Sequence, residues 1–124
     1  MKSPDARAIF TPRVDQTPDF KIEHEKSAER LRLSVRGEVD MAAAGELETA
    51  VVRACSDSKT VEIDLHEVSF IDSIGLRAVL AAKALCAELG VEFLLVPSRH
   101  EAPRRTFELA GVLDLLPWRN RREE

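Results

Sequence analysis

An aspartate followed directly by a serine, Asp72-Ser73, stands where a strand-like run gives way to a long helical pattern. The stretch reads Phe70-Ile71-Asp72-Ser73-Ile74-Gly75-Leu76. A serine at or next to a helix N-cap can accept a hydrogen bond from a free backbone N–H, and capping alone accounts for its presence. The same place can do more. A helix start presents unpaired N–H donors and about half a positive charge, which together seat a phosphate. A phosphoserine there carries roughly −1.5 to −2 charge, and Gly75 leaves the surface open for another protein's backbone or a nucleotide. The two residues therefore suggest a cap or a phosphorylation switch, and permit the second without requiring it.

Other chemistries find less support. No G-x-S-x-G elbow surrounds Ser73, and His24, His66 and His100 are scattered without a triad's spacing. Those histidines with Cys55 and Cys86 give no metal-ligand pattern, and no phosphate-cradling glycine loop is present. Neither catalysis nor a cofactor or metal is expected. Arg119, Arg121 and Arg122 form a small basic tail that reads as a solvated end, not a nucleic-acid contact.

The elements that must hold Asp72-Ser73 follow from periodicity. Phe20 and Ile22 alternate with Lys21 and Glu23 as a short edge strand. Leu31, Leu33 and Val35 alternate with Arg32, Ser34 and Arg36 as a half-buried strand ended by Gly37. Ala42 to Cys55 has helical spacing, and Val61, Ile63 and Leu65 alternate again as a strand. Ile74 to Leu89 is the most helical segment, with Leu76, Val79, Leu80, Leu85 and Leu89 assigned to the buried side and Gly90 as its stop. Val91 to Val96 reads as an interior strand. A last helix, capped by Ser98 with Pro103 in its first turn, runs to about Ala110. Leu113, Leu115 and Leu116 add a small closing element. The order predicts an α/β fold: a mixed four- to five-stranded sheet, its first pair a hairpin, with helices mainly on one face.

Residues 1–18, with Pro4, Pro12 and Pro18, are assigned to a flexible arm, 19–118 to one domain, and 119–124 to a charged tail. The length of 124 residues suits one domain, and 44% hydrophobic residues supply a core. A net charge of −4 with interspersed signs excludes an extended basic surface for nucleic acid. No run approaches the roughly 18 apolar residues that span a bilayer, and no secretory signal is evident, so a cytoplasmic protein with reduced thiols is expected.

Four stretches together carry a family resemblance. Phe70 to Leu76 resembles the D-S-x-G-L signature of the STAS family, which opens a helix after a strand. Gly37-Glu38-Val39-Asp40 resembles its G-E-[LV]-D turn, Val61 to Leu65 its central strand, and Phe107-Glu108-Leu109-Ala110-Gly111-Val112 its closing F-x-x-[SA]-G-[LV]. The order and spacing match from about Phe20 to Leu116.

Within that family the chain resembles the anti-sigma factor antagonists. The resemblance implies binding to an anti-sigma factor that is also a serine kinase, with release of a sigma factor. It implies phosphorylation on Ser73 and reversal by a serine phosphatase. It also implies a partner surface of Glu38, Asp40, Asp72, Ser73, Ile74, Gly75 and Arg77, with Asp72 flanking or orienting the serine. Ile74 stands where the family often has serine, threonine or alanine, and Arg77 where glycine is common. Both are placed to alter partner choice. The alternative within the family is a scaffold or regulatory subunit of a stress-sensing assembly or a membrane lipid transporter.

Overall fold

The computed structural model describes residues 14–17, as backbone, and 19–119. Five strands form one sheet: β1 (Val14–Thr17), β2 (Phe20–Lys26), β3 (Arg30–Val39), β4 (Thr60–Ile71) and β5 (Glu92–Val96), side by side in chain order. β1, β2 and β3 are antiparallel neighbours, whereas β4 lies parallel to both β3 and β5. Helices α1 (Met41–Ala54) and α2 (Ser73–Leu89) make the two parallel crossovers, and α3 (Glu101–Leu109) follows β5. This is the mixed sheet that the alternation of elements predicts. It also places β1 inside the span assigned to a flexible arm, so β2 is not an edge; residues 1–13 and Pro18 lie outside the described residues.

The core fills the space between the helices and one sheet face. Ile22, Leu33, Leu47, Ile63 and Leu95 are wholly buried there with Val79 and Cys86. Burial pushes the Cys86 thiol up to about 11, helped by the nearby Cys55, and both cysteines are unbridged. Of the α2 leucines, Leu76 is buried, Leu80 and Leu85 are half-buried, and Leu89 is 48% exposed. Leu89 adjoins the left-handed Gly90 cap, where the helix has already left the core.

Between the inward residues of β4, Glu62 and Asp64 point to the helix-free face, and both are buried. Arg32 pairs with Asp64 at 2.9 Å, and Arg119 donates to the Glu62 carboxylate at 2.6 Å. Burying such carboxylates is costly unless they are paired, so these arginines are structural. Arg119 is therefore not a solvated tail residue. Its N–H also donates to the Leu95 carbonyl at 2.6 Å, while Leu95 donates to Pro117. Trp118 thus makes a parallel bridge along the outer side of β5. β5 is an edge strand, not an interior one; Phe93, Leu95 and Val96 are nevertheless buried.

Three further expectations are corrected. Gly37 does not end β3: it adopts φ +94°, where a Cβ would strike the Asp19 carbonyl, and the strand continues to Val39 past a bulge. β4 likewise runs on to Ile71, beyond the alternation visible at Leu65. His100, not Ser98, is the N-cap of α3; the Ser98 hydroxyl donates to Val68 at 2.6 Å and accepts from His100 N–H.

Candidate functional site

β3 and β4 are parallel neighbours that end together, with Glu38 beside Phe70 and Val39 beside Ile71. Each strand is followed at once by an aspartate and a helix. Asp40 caps α1, its Oδ1 accepting from Ala43 N–H at 3.1 Å; Asp72 caps α2, its Oδ1 accepting from Gly75 N–H at 2.8 Å. The Asp72 N–H donates to the Val39 carbonyl at 3.2 Å, which ties the two turns together. Parallel pairing thus brings the Glu38–Asp40 and Asp72–Ser73 segments to one end of the sheet, as the sequence motifs suggest.

Two roles change. Asp72 is the N-cap, and Ser73 is the first residue of α2. Its hydroxyl is not needed for the cap, and its side chain is exposed. Gly75 does not open the surface. It is buried, and a Cβ there would collide with the Val39 carbonyl and lie 2.8 Å from Ile71 Cγ1. The glycine is required because the start of α2 presses on the end of β3. Gly75 therefore lies beneath the start of α2 and, being buried, has no exposed surface of its own.

Glu38, Asp40, Ser73, Ile74 and Arg77 are exposed or part-exposed at this end of the molecule, and Asp72 is half-buried. The sequence reading missed two large apolar side chains, Met41 (68% exposed) and Phe70 (44%). The register supplies the signal: Phe70 pairs with Glu38, and Met41 directly follows the Asp40 cap. A third apolar group, Ile74, is 39% exposed. Exposed apolar side chains edged by carboxylates are the composition of a protein-contact surface.

The site is anchored from outside the two turns as well. The Thr106 hydroxyl on α3 donates to the Ile71 carbonyl at 3.0 Å, directly before Asp72. His24 lies in β2, His66 in β4, and His100 at the start of α3. Among the described residues no cluster of His, Cys, Asp and Glu suits a metal ion. What the arrangement offers is a hydroxyl held at a helix N-terminus on a firm base, open to a macromolecule. It can receive a group delivered from outside.

A family model for the STAS domain matches residues 19–124. An anti-sigma-F factor antagonist of Mycobacterium tuberculosis, RsfB, is 37% identical over 81 residues, 64% of this chain and 65% of that protein. The match thus spans slightly under two thirds of the relative's length. A crystal structure of an anti-sigma factor antagonist from Mycobacterium paratuberculosis superposes with TM-score 0.69 at 32% identity, covering 82% of this chain and 87% of that one. The Bacillus cell fate determinant SpoIIAA, in its phosphorylated form, shares the fold: TM-score 0.63 at 21% identity, covering 82% and 94%. With the five-stranded sheet, the Asp-capped helix start and the family model in agreement, this chain belongs to the STAS domain family.

Proposed function

We propose that this chain is an anti-sigma factor antagonist. It binds an anti-sigma factor that is also a serine kinase, so freeing a sigma factor, and phosphorylation of Ser73 ends the binding. The observation that carries the reading is Ser73 itself: exposed, first in an Asp-capped helix, and not used in the cap. Relatives that bear the name anti-sigma factor antagonist support the class of partner. The chain is the acceptor and not the catalyst. Ser73 Oγ attacks the γ-phosphorus of a nucleoside triphosphate held by the kinase. The new O–P bond forms as the bond to the bridging oxygen breaks, the hydroxyl proton passes to a kinase base, and the nucleoside diphosphate leaves. A serine phosphatase restores the hydroxyl by hydrolysis.

The physics favours a switch of surface, not of fold. Negative charge in the first turn of a helix is favourable, so α2 keeps its structure when modified. The partner meets a different surface. Two new charges arrive where Glu38, Asp40 and Asp72 already make the rim acidic, and repulsion and desolvation oppose docking. Glu38, Asp40, Ile74 and Arg77 contact the partner in this reading, and Asp72 holds the serine in place. Among the described residues no helix is long and apolar enough to cross a membrane. We place the chain in the cytoplasm, in contact with protein partners and not with nucleic acid or lipid.

Paired baits test this. Ser73→Ala and Ser73→Asp proteins are used to capture partners from source-cell lysate, with mass spectrometry as readout. A kinase-like ATPase held by the alanine protein and lost from the aspartate protein is the expected result. Equal capture of transporter or scaffold subunits by both proteins would overturn the function while leaving the fold intact.

A further inference from the structure

Arg77 lies four residues after Ser73 on α2, and both side chains are exposed. Residues i and i+4 are neighbours on a helix surface. Helical side chains lean toward the N-terminus, so the long Arg77 side chain reaches back over the turn that carries Ser73. An acid preceding a base at this spacing is the favourable orientation. Among the described residues Arg77 makes no hydrogen bond or ion pair, so its guanidinium is available. Arg30, Arg32, Arg99 and Arg119, by contrast, are each paired with a carboxylate of β4.

Carboxylates also stand about the serine, Asp72 at the same helix start and Glu38 and Asp40 on the adjoining turn, while α3, whose Thr106 bonds to the Ile71 carbonyl, carries Arg104 and Arg105. One Asp72 oxygen is committed to Gly75 N–H. A phosphate on Ser73 therefore enters a rim of carboxylates in which Arg77 is the cation one turn away on its own helix. We propose that Arg77 is the intramolecular partner of phosphorylated Ser73, its planar guanidinium bridging two phosphoryl oxygens and holding the group along α2. The proposal rests on the reading of Ser73 as phosphoacceptor and adds the residue that stabilises the modified state. It also gives a physical role to the side chain that stands where the family commonly has glycine. Within the unmodified chain Arg77 has no hydrogen-bond or ion-pair partner among the described residues, and phosphorylation supplies one.

The test uses full-length protein carrying phosphoserine at 73, installed during translation so that no kinase is involved. ³¹P NMR follows the second ionisation of the phosphoryl group, ordinarily near pH 6, in wild type, Arg77→Lys and Arg77→Gln. Asp72, Glu38 and Asp40 act on the group in all three, so the difference isolates residue 77. The expected midpoint is about 0.5 unit lower with arginine than with glutamine, and intermediate with lysine, as a charge-assisted pair requires. The unmodified Arg77→Gln protein should melt with wild type, which separates pairing from any effect on folding. Coincident midpoints in the arginine and glutamine proteins would overturn the proposal and leave Ser73 as the acceptor. A kinase that modifies a residue other than Ser73 would remove the reading on which the proposal rests, whatever the midpoints.

Discussion

The two helix starts at one end of the sheet are near twins. Val39-Asp40-Met41 and Ile71-Asp72-Ser73 each take the chain from a strand through an aspartate cap into a helix, on parallel neighbouring strands. In both, the aspartate accepts from the N–H three residues on. The difference lies in the first turn beyond the cap. At α1 the first residue is Met41 and the third is Ala43, whose methyl is buried; at α2 they are Ser73 and Gly75. The cap geometry is thus common to a start that has a hydroxyl to modify and one that has none. What distinguishes α2 is the hydroxyl at its first position and the glycine that lets the helix press on β3.

The largest effect that breaks this comparison comes from the glycine. Gly75→Ala puts a methyl against the Val39 backbone, which cannot swing aside like a side-chain end. Alanine's better helix propensity gives back about 1 kcal/mol, against overpacking that costs typically about 1–3 kcal/mol. The net expectation is a loss of stability, read as a lower denaturant midpoint. Gly45 in α1 provides the opposite sign. A Cβ there meets nothing within 4 Å, so Gly45→Ala should stabilise by up to about 1 kcal/mol. Equal shifts for the two variants would show that α2 does not press on β3.

Much of this frame is legible in the sequence, because strand alternation and helical spacing are local signals. The parallel crossovers, the hairpin and the position of Ser73 at a helix start follow from them. The failures share a cause, which is contact between residues distant in the chain. Gly75 reads as an opening because Val39, the backbone that closes it, belongs to another strand. Arg119 reads as a frayed end because its partner Glu62 is 57 positions away. β1, with Asp15 and Gln16 among its four residues, lacks a strand's composition and exists through pairing with β2. Asp72 and Ser73 are both good caps, and only the extent of β4, running to Ile71, decides between them. Met41 and Phe70 become visible as a surface only when β3 and β4 are laid side by side.

A smaller effect measures how alike the two caps are. Asp72→Ala and Asp40→Ala each remove a side chain that satisfies a first-turn N–H, at a cost of about 0.5–2 kcal/mol. Asp72 makes the shorter bond, 2.8 Å against 3.1 Å, and is half-buried where Asp40 is exposed. Asp72→Ala should therefore lower the denaturant midpoint further. The reverse order would mean that the α1 cap carries the junction.

The smallest structural change asks the sharpest question of the comparison. Met41→Ser gives α1 the same two residues at its start as α2 has: an aspartate cap, then a serine. Met41 is 68% exposed, so its loss should move stability by no more than about 0.5 kcal/mol. If a capped helix start sufficed for phosphorylation, the variant would take up two phosphates from the cognate kinase. The expectation is one, on Ser73, by intact mass and peptide mapping. A kinase closes on a surface, and Ser73 has Ile74 and Arg77 on its own helix, whereas the serine introduced at position 41 has Ala42 and Gly45 at the matching positions. A second phosphate at position 41 would shift recognition from the side chains around Ser73 to the backbone geometry that both starts share.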